Sequence, residues 1–190
     1  PLFFFLSGML LNLDKYSDFK SFSISRFKAL YVPYILFFII TFAYWLIIER
    51  HFRANYSIGH QIIGIFYGTY EGGHLDFNGA LWFLPCLLST EIIFWFVAKL
   101  RNIRWLLLSL TSSFAIGSLL LRYEIILPFG IHTAFFAVIF YGFGHRLKDL
   151  PNLIVKAKRT HLILSAAFLF VVQILLLGHY NGSINTASLG

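Results

Sequence analysis

Long apolar runs alternate with short polar stretches along this chain, and within each run the apolar residues are continuous. A helix needs roughly 20 such residues to cross the hydrocarbon core of a bilayer, with about 17–25 tolerated. Five stretches meet that requirement: Ala29–Ile48, Gly79–Ala98, Trp105–Leu121, Ile125–Gly144 and His161–Gly178. Leu2–Leu13 is shorter and reads as the end of a sixth span. The strands of a membrane barrel would alternate apolar and polar positions, and these runs do not. The expected fold is all-α, a polytopic membrane helical bundle with six membrane segments, the first truncated. Between the first two complete spans, the apolar piece Gln61–Tyr70 is too short to cross and is followed by the glycine-rich EGGHLDFNG. Long connections in compact domains tend to be functional or disordered; this one is expected to form a re-entrant or interfacial lid.

Composition sharpens the class. Hydrophobic residues make up 58% of the 190 and charged residues only 12%, against about 25% charged in soluble domains. The net charge of +7 raises nucleic acid as a partner, but its distribution removes it. Twelve of the fifteen Lys and Arg fall in 14–28, 99–104 and 145–160, which are alternate loops. By the positive-inside rule these loops are cytoplasmic, so a multi-pass protein of the cell inner (plasma) membrane is expected, with the lipid bilayer as a partner and no nucleic acid. A single cysteine, Cys86, rules out an internal disulfide and a Cys-based zinc cluster, and no HExxH or dinucleotide motif supports metal or nucleotide chemistry. Pro1 opens inside an apolar run and Gly190 closes a polar one, as expected for a piece of a longer protein.

The chemistry starts from an anomaly. Glu91 lies thirteenth in the twenty-residue run Gly79–Ala98, roughly 4 Å past its midpoint at about 1.5 Å per residue. An acid at such depth is costly and marks a site or pathway by default, although a purely structural acid paired with a neighbouring helix is the alternative. Pro85, six residues earlier, frees a backbone carbonyl and is expected to kink the helix, and Trp82, Cys86 and Ser89 share the face that would then line a cavity. In Ser23–Tyr34, Arg26 and Lys28 follow serines able to cap a helix, and a helix N-terminus is an anion site; lipid phosphates and plain orientation signalling compete with a phosphorylated substrate. His74, in the outer loop, is a candidate catalytic residue or simply a loop residue. His132 could meet a polar substrate or be a hydrogen-bonded packing histidine.

PLFFFLSGMLL (1–11), SRFKALYVPY (25–34), GALWFLPCLL (79–88) and LPFGIHTAFFAVIFYGFGHRLK (127–148) together resemble the acyltransferase 3 family of integral-membrane acyltransferases, in order and spacing over essentially the whole chain. GALWFLPCLLSTE is most similar to the sugar O-acetyltransferases. The resemblance implies one membrane acyltransferase domain of about ten helices, of which 1–190 is a part, incomplete at both ends. It implies an acyl-CoA donor, acetyl-CoA above all, used from the cytoplasm as a substrate and not as a permanently bound cofactor. The acceptor it implies is a hydroxyl of a cell-surface carbohydrate or glycolipid. It assigns Arg26 and Lys28 to the donor, and places the family's catalytic His upstream of Pro1, so that this chain alone is expected to be inactive. Trp82 and His132 are expected in the substrate cavity, and Glu91 and His74 are the catalytic candidates within the chain. A polysaccharide or ion permease with Glu91 on its pathway is the competing reading.

Overall fold

A computed structural model describes residues 1–52, 57–100 and 102–148. All regular structure among them is helical: α1 (Leu2–Leu10), α2 (Phe19–Ile47), α3 (Ile58–Tyr67), α4 (Phe83–Ala98), α5 (Ile103–Arg122) and α6 (Ile131–Arg146), joined in part by short 3-10 turns. Helix α4 is the hub. It buries Pro85 through Glu91 without a break, then Phe94, Trp95 and Val97, because α2 covers one side of it and α6 another. One core cluster joins Phe22 of α2, Phe94 and Trp95 of α4, Tyr141 of α6 and Phe4 of α1. A second joins Tyr34 and Phe38 of α2 to Leu75 and Leu81. Helix α1 meets α6 at backbone distance, since a Cβ at Gly144 would fall 1.9 Å from the Phe5 carbonyl oxygen and one at Gly8 2.1 Å from that of Tyr141.

Helix α2 begins ten residues before the apolar run does. Asp18 is its N-cap, accepting from the Ser21 N–H at 2.8 Å while the Ser21 hydroxyl returns toward the Asp18 N–H. This reciprocal cap extends the helix through the basic segment, so Arg26 and Lys28 lie in its second and third turns and not at an open N-terminus. The anion site expected from free N–H groups is therefore absent at these two positions. Pro85 also corrects an expectation. Residues Gly79–Trp82 form a 3-10 turn, and α4 starts at Phe83, which puts Pro85 in the first turn, where its missing N–H is no loss. No mid-helix kink follows from it.

Three helical stretches, not six, are long and apolar enough to cross a membrane among the described residues: Phe19–Ile47, Gly79–Ala98 and Arg104–Arg122. The expected span Ile125–Gly144 is replaced by an extended entry, a 3-10 turn at Pro128–Gly130 and the 16-residue α6, about 24 Å long at 1.5 Å per residue. Phe129 and Gly130, at φ of 57° and 59°, are left-handed and cannot continue a helix. Leu2–Leu10 is nine residues, and His161–Gly178 lies outside the described residues.

The loop after α3 is held, not loose. Gln61 donates to the Gly73 carbonyl at 2.9 Å and accepts from the Asp76 N–H at 3.1 Å. The Tyr34 hydroxyl reaches the Gly64 and Ile65 carbonyls, tying α3 to α2. Gly64 itself lies under the His74 carbonyl, where any Cβ would clash.

Candidate functional site

Past the midpoint of α4, Glu91 is 3% exposed and is met from two sides. Arg26 Nη1 of α2 stands 3.7 Å from its Oε1, and the Tyr141 hydroxyl of α6 donates to the same oxygen at 3.0 Å. Arg26 Nη2 donates to the Tyr16 hydroxyl oxygen at 2.6 Å, and the Arg26 guanidinium also lies against the Tyr16 and Phe22 rings at 5.5 and 6.0 Å. Burial raises the Tyr16 phenol, but hydrogen bonds from Ser25 and Arg26, with the Arg26 charge, hold it below its ordinary range overall. A buried charge is tolerated when it is paired and hydrogen-bonded, and this arrangement meets both conditions for Glu91. It also leaves valences over: Glu91 Oε2 and Arg26 Nε are buried with no partner among the described residues.

Lys28 does not join this cluster. Two residues along a helix is about 200° around its axis, and Lys28 faces out beside Ser23 and Phe27 over Leu88 of α4, on a groove of about 320 Å³. The two cations expected to share one anion thus face different sides of α2.

A second cluster lies at the N-terminal end of α4. The His132 ring is 3% exposed; its Nδ1 accepts from the Leu127 N–H at 3.2 Å and its Nε2 meets Glu71 Oε2 at 2.5 Å. Since Nδ1 accepts, the proton sits on Nε2 and is donated to the carboxylate. Glu71, half exposed, lines a cavity of about 210 Å³ with Thr69, Tyr70, Trp82 and Thr133. Trp82 and His132 therefore do share a cavity wall. Cys86 and Ser89 do not line it: they point to the turn before α6, the Ser89 hydroxyl donating to the Phe129 carbonyl at 3.0 Å and the Cys86 thiol to that of Gly130 at 3.6 Å.

His74 belongs to neither cluster. Its ring stacks between His60 and Tyr67, at 4.5 and 4.6 Å between centroids. A groove of about 810 Å³ between α4, α5 and α6 is mostly apolar, with His145, Arg146 and Lys148 also in its lining; it includes none of Arg26, Glu91, Glu71 or His132. Tyr16, Tyr141 and Glu71 were not singled out by sequence. Tyr141 is one aromatic in an aromatic-rich run, and Glu71 sits in a loop whose fold periodicity does not reveal.

A family model described as an acyltransferase domain, acyltransferase 3, matches residues 1–189. Comparison with curated proteins and with solved structures gave no match.

Proposed function

The chain belongs to the acyltransferase 3 family and is a membrane acyltransferase; from that premise we propose that it moves an acetyl group from cytoplasmic acetyl-CoA to a hydroxyl of a cell-surface carbohydrate. The hydroxyl oxygen bonds to the thioester carbonyl carbon, the carbon–sulfur bond breaks, and the hydroxyl proton ends on the CoA thiolate. One observation carries the reading: a buried ion pair, Arg26–Glu91, that keeps one acceptor and one donor valence unpaired. Such a pair is costly if it only holds helices together, because apolar residues of similar size do that as well. It is useful if a polar ligand completes it.

In this reading Arg26 and Lys28 bind different parts of the donor. Lys28, exposed on its groove, meets a phosphate as a point charge. Arg26, held inward by Glu91 and Tyr16, offers its remaining N–H to the thin pantetheine arm as it passes between helices. Glu91 is then the anchor of Arg26 and not a base. Orientation supports the donor side, since both residues lie in the helix that leaves the Lys- and Arg-rich 14–28 segment.

The test is acetyl-CoA affinity of the full-length protein in membranes, at low and high salt. Hydrogen bonds to charged groups contribute roughly 1.5–3 kcal/mol, so Arg26→Ala should weaken binding about tenfold to a hundredfold. Lys28→Ala should weaken it less and flatten its salt dependence. Wild-type affinity in an Arg26→Ala protein that inserts normally would remove Arg26 from the donor site, and the same result in Lys28→Ala would remove Lys28.

A further inference from the structure

We propose that the Glu71 carboxylate, oriented by His132, binds a hydroxyl-bearing ring of the acyl acceptor in the cavity beside Trp82. This rests on the carbohydrate reading above and assigns it a place and a contact residue.

The cavity is built from constrained backbone on both walls. Thr69, Tyr70 and Glu71 sit between Gly68 and the pair Gly72–Gly73, at φ of 59°, 78° and 73°, conformations that L side chains rarely adopt. Next to Gly130 of the opposite wall, Phe129 is left-handed at 57° although it is not glycine. Left-handed turns held at a residue other than glycine are strained, and they gather at functional sites. They bring a half-exposed carboxylate from one segment against a buried imidazole from the other.

The chemistry of the lining narrows the ligand. His132 has no lone pair left, because Leu127 occupies Nδ1 and Nε2 carries the proton given to Glu71. It is therefore a positioning residue and cannot take a proton from substrate. Glu71 spends one oxygen on His132 and keeps the rest of an acceptor-only group facing the cavity. Thr69 and Thr133 add hydroxyls, and Trp82 and Tyr70 add ring faces. An acceptor carboxylate beside hydroxyls and aromatic surface suits a ligand that donates several O–H groups and has an apolar C–H face. Pockets for drug-sized ligands run to about 300–1,000 Å³; the 210 Å³ here matches a single ring.

The experiment uses the full-length protein in membranes with labelled acetyl-CoA and the methyl glycosides of glucose, galactose and N-acetylglucosamine as probes. Wild type should acetylate at least one of them. Glu71→Gln should raise the KM for that glycoside about tenfold or more, with the KM for acetyl-CoA unchanged within about twofold. His132→Ala should act in the same direction, and His132→Gln, which keeps an N–H near the position of Nε2, should recover part of the loss. Thr133→Val, a nearly isosteric change that leaves the His132–Glu71 contact alone, should raise the glycoside KM severalfold. If wild type acetylates a probe and both Glu71→Gln and Thr133→Val leave its KM unchanged, the cavity is not the acceptor site, while the carbohydrate reading stands. If wild type acetylates none, the carbohydrate reading falls and the assignment falls with it.

Discussion

Replacing Glu91 by Gln keeps the shape of the side chain and an oxygen for the Tyr141 hydroxyl, and removes only the charge. What remains is Arg26 with a single polar partner, Tyr16, and one quarter of its side chain exposed. At 3.7 Å and an effective dielectric constant of about 20, opposite unit charges attract by about 4.5 kcal/mol. Two effects reduce the observable loss. The Gln dipole still faces the guanidinium, and Arg26 can turn its head toward the protein surface while its stem stays packed. Breaking one side of a buried pair costs about 3–5 kcal/mol, and the partial exposure of Arg26 puts the expected value at the lower end, about 3 kcal/mol. The assay is equilibrium unfolding in mixed micelles for Glu91→Gln, Arg26→Gln and the double variant. Because most of the penalty is the stranded cation, the double variant, which removes that cation, should be more stable than Glu91→Gln alone. A coupling energy within the scatter of independent sites, about 0.5 kcal/mol, would mean that the two charges do not act as a pair.

Other predictions are more local. Gly144→Ala puts a Cβ where the Phe5 carbonyl oxygen lies, and overpacking of this kind costs about 1–3 kcal/mol; unchanged thermal unfolding would show that α1 does not cross α6 there. The Ser21 N–H and hydroxyl hold the Asp18 carboxylate below its usual range. A depressed carboxylate stabilises the fold above its unfolded pKa, about 3.9, and that contribution disappears as pH falls through the folded value. Asp18→Ala should therefore lose helicity at the start of α2 at neutral pH and show less change on acidification than wild type; equal acid responses would dismiss the cap. Ser17→Cys, at an exposed position before α2, should resist an impermeant thiol reagent added outside intact cells, and rapid labelling would reverse the orientation.

The helices that reading along the chain recovered best are α2, α4 and α5, whose unbroken apolar runs leave no other way to satisfy the backbone in lipid. It misplaced the start of α2, because Lys20, Arg26 and Lys28 look like loop residues until Asp18 and Ser21 are known to cap a helix. It made α6 too long, because nothing in the apolar run announces that Phe129 is left-handed. At the sites, the cost of burying a charge was enough to single out Glu91, and Trp82 and His132 were placed in one cavity. The partners were not legible. Tyr141 lies 50 residues from Glu91 and Glu71 lies 61 from His132, and such pairings depend on how helices pack, which a single sequence does not state. Arg26 and Lys28 were expected to converge on one anion, and helical geometry in an already-formed α2 sends them apart.

The broken entry to α6 bears on how the protein is made. A membrane helix normally leaves the translocation machinery as a self-sufficient unit, with its backbone groups satisfied internally. The entry to α6 leans on a neighbour as well, since the carbonyls of Phe129 and Gly130 accept from the Ser89 hydroxyl and the Cys86 thiol of α4. Those two donors are synthesised first. The turn that aims α6 is therefore pinned to a helix that precedes it in the chain, so the direction in which α6 leaves is set by α4.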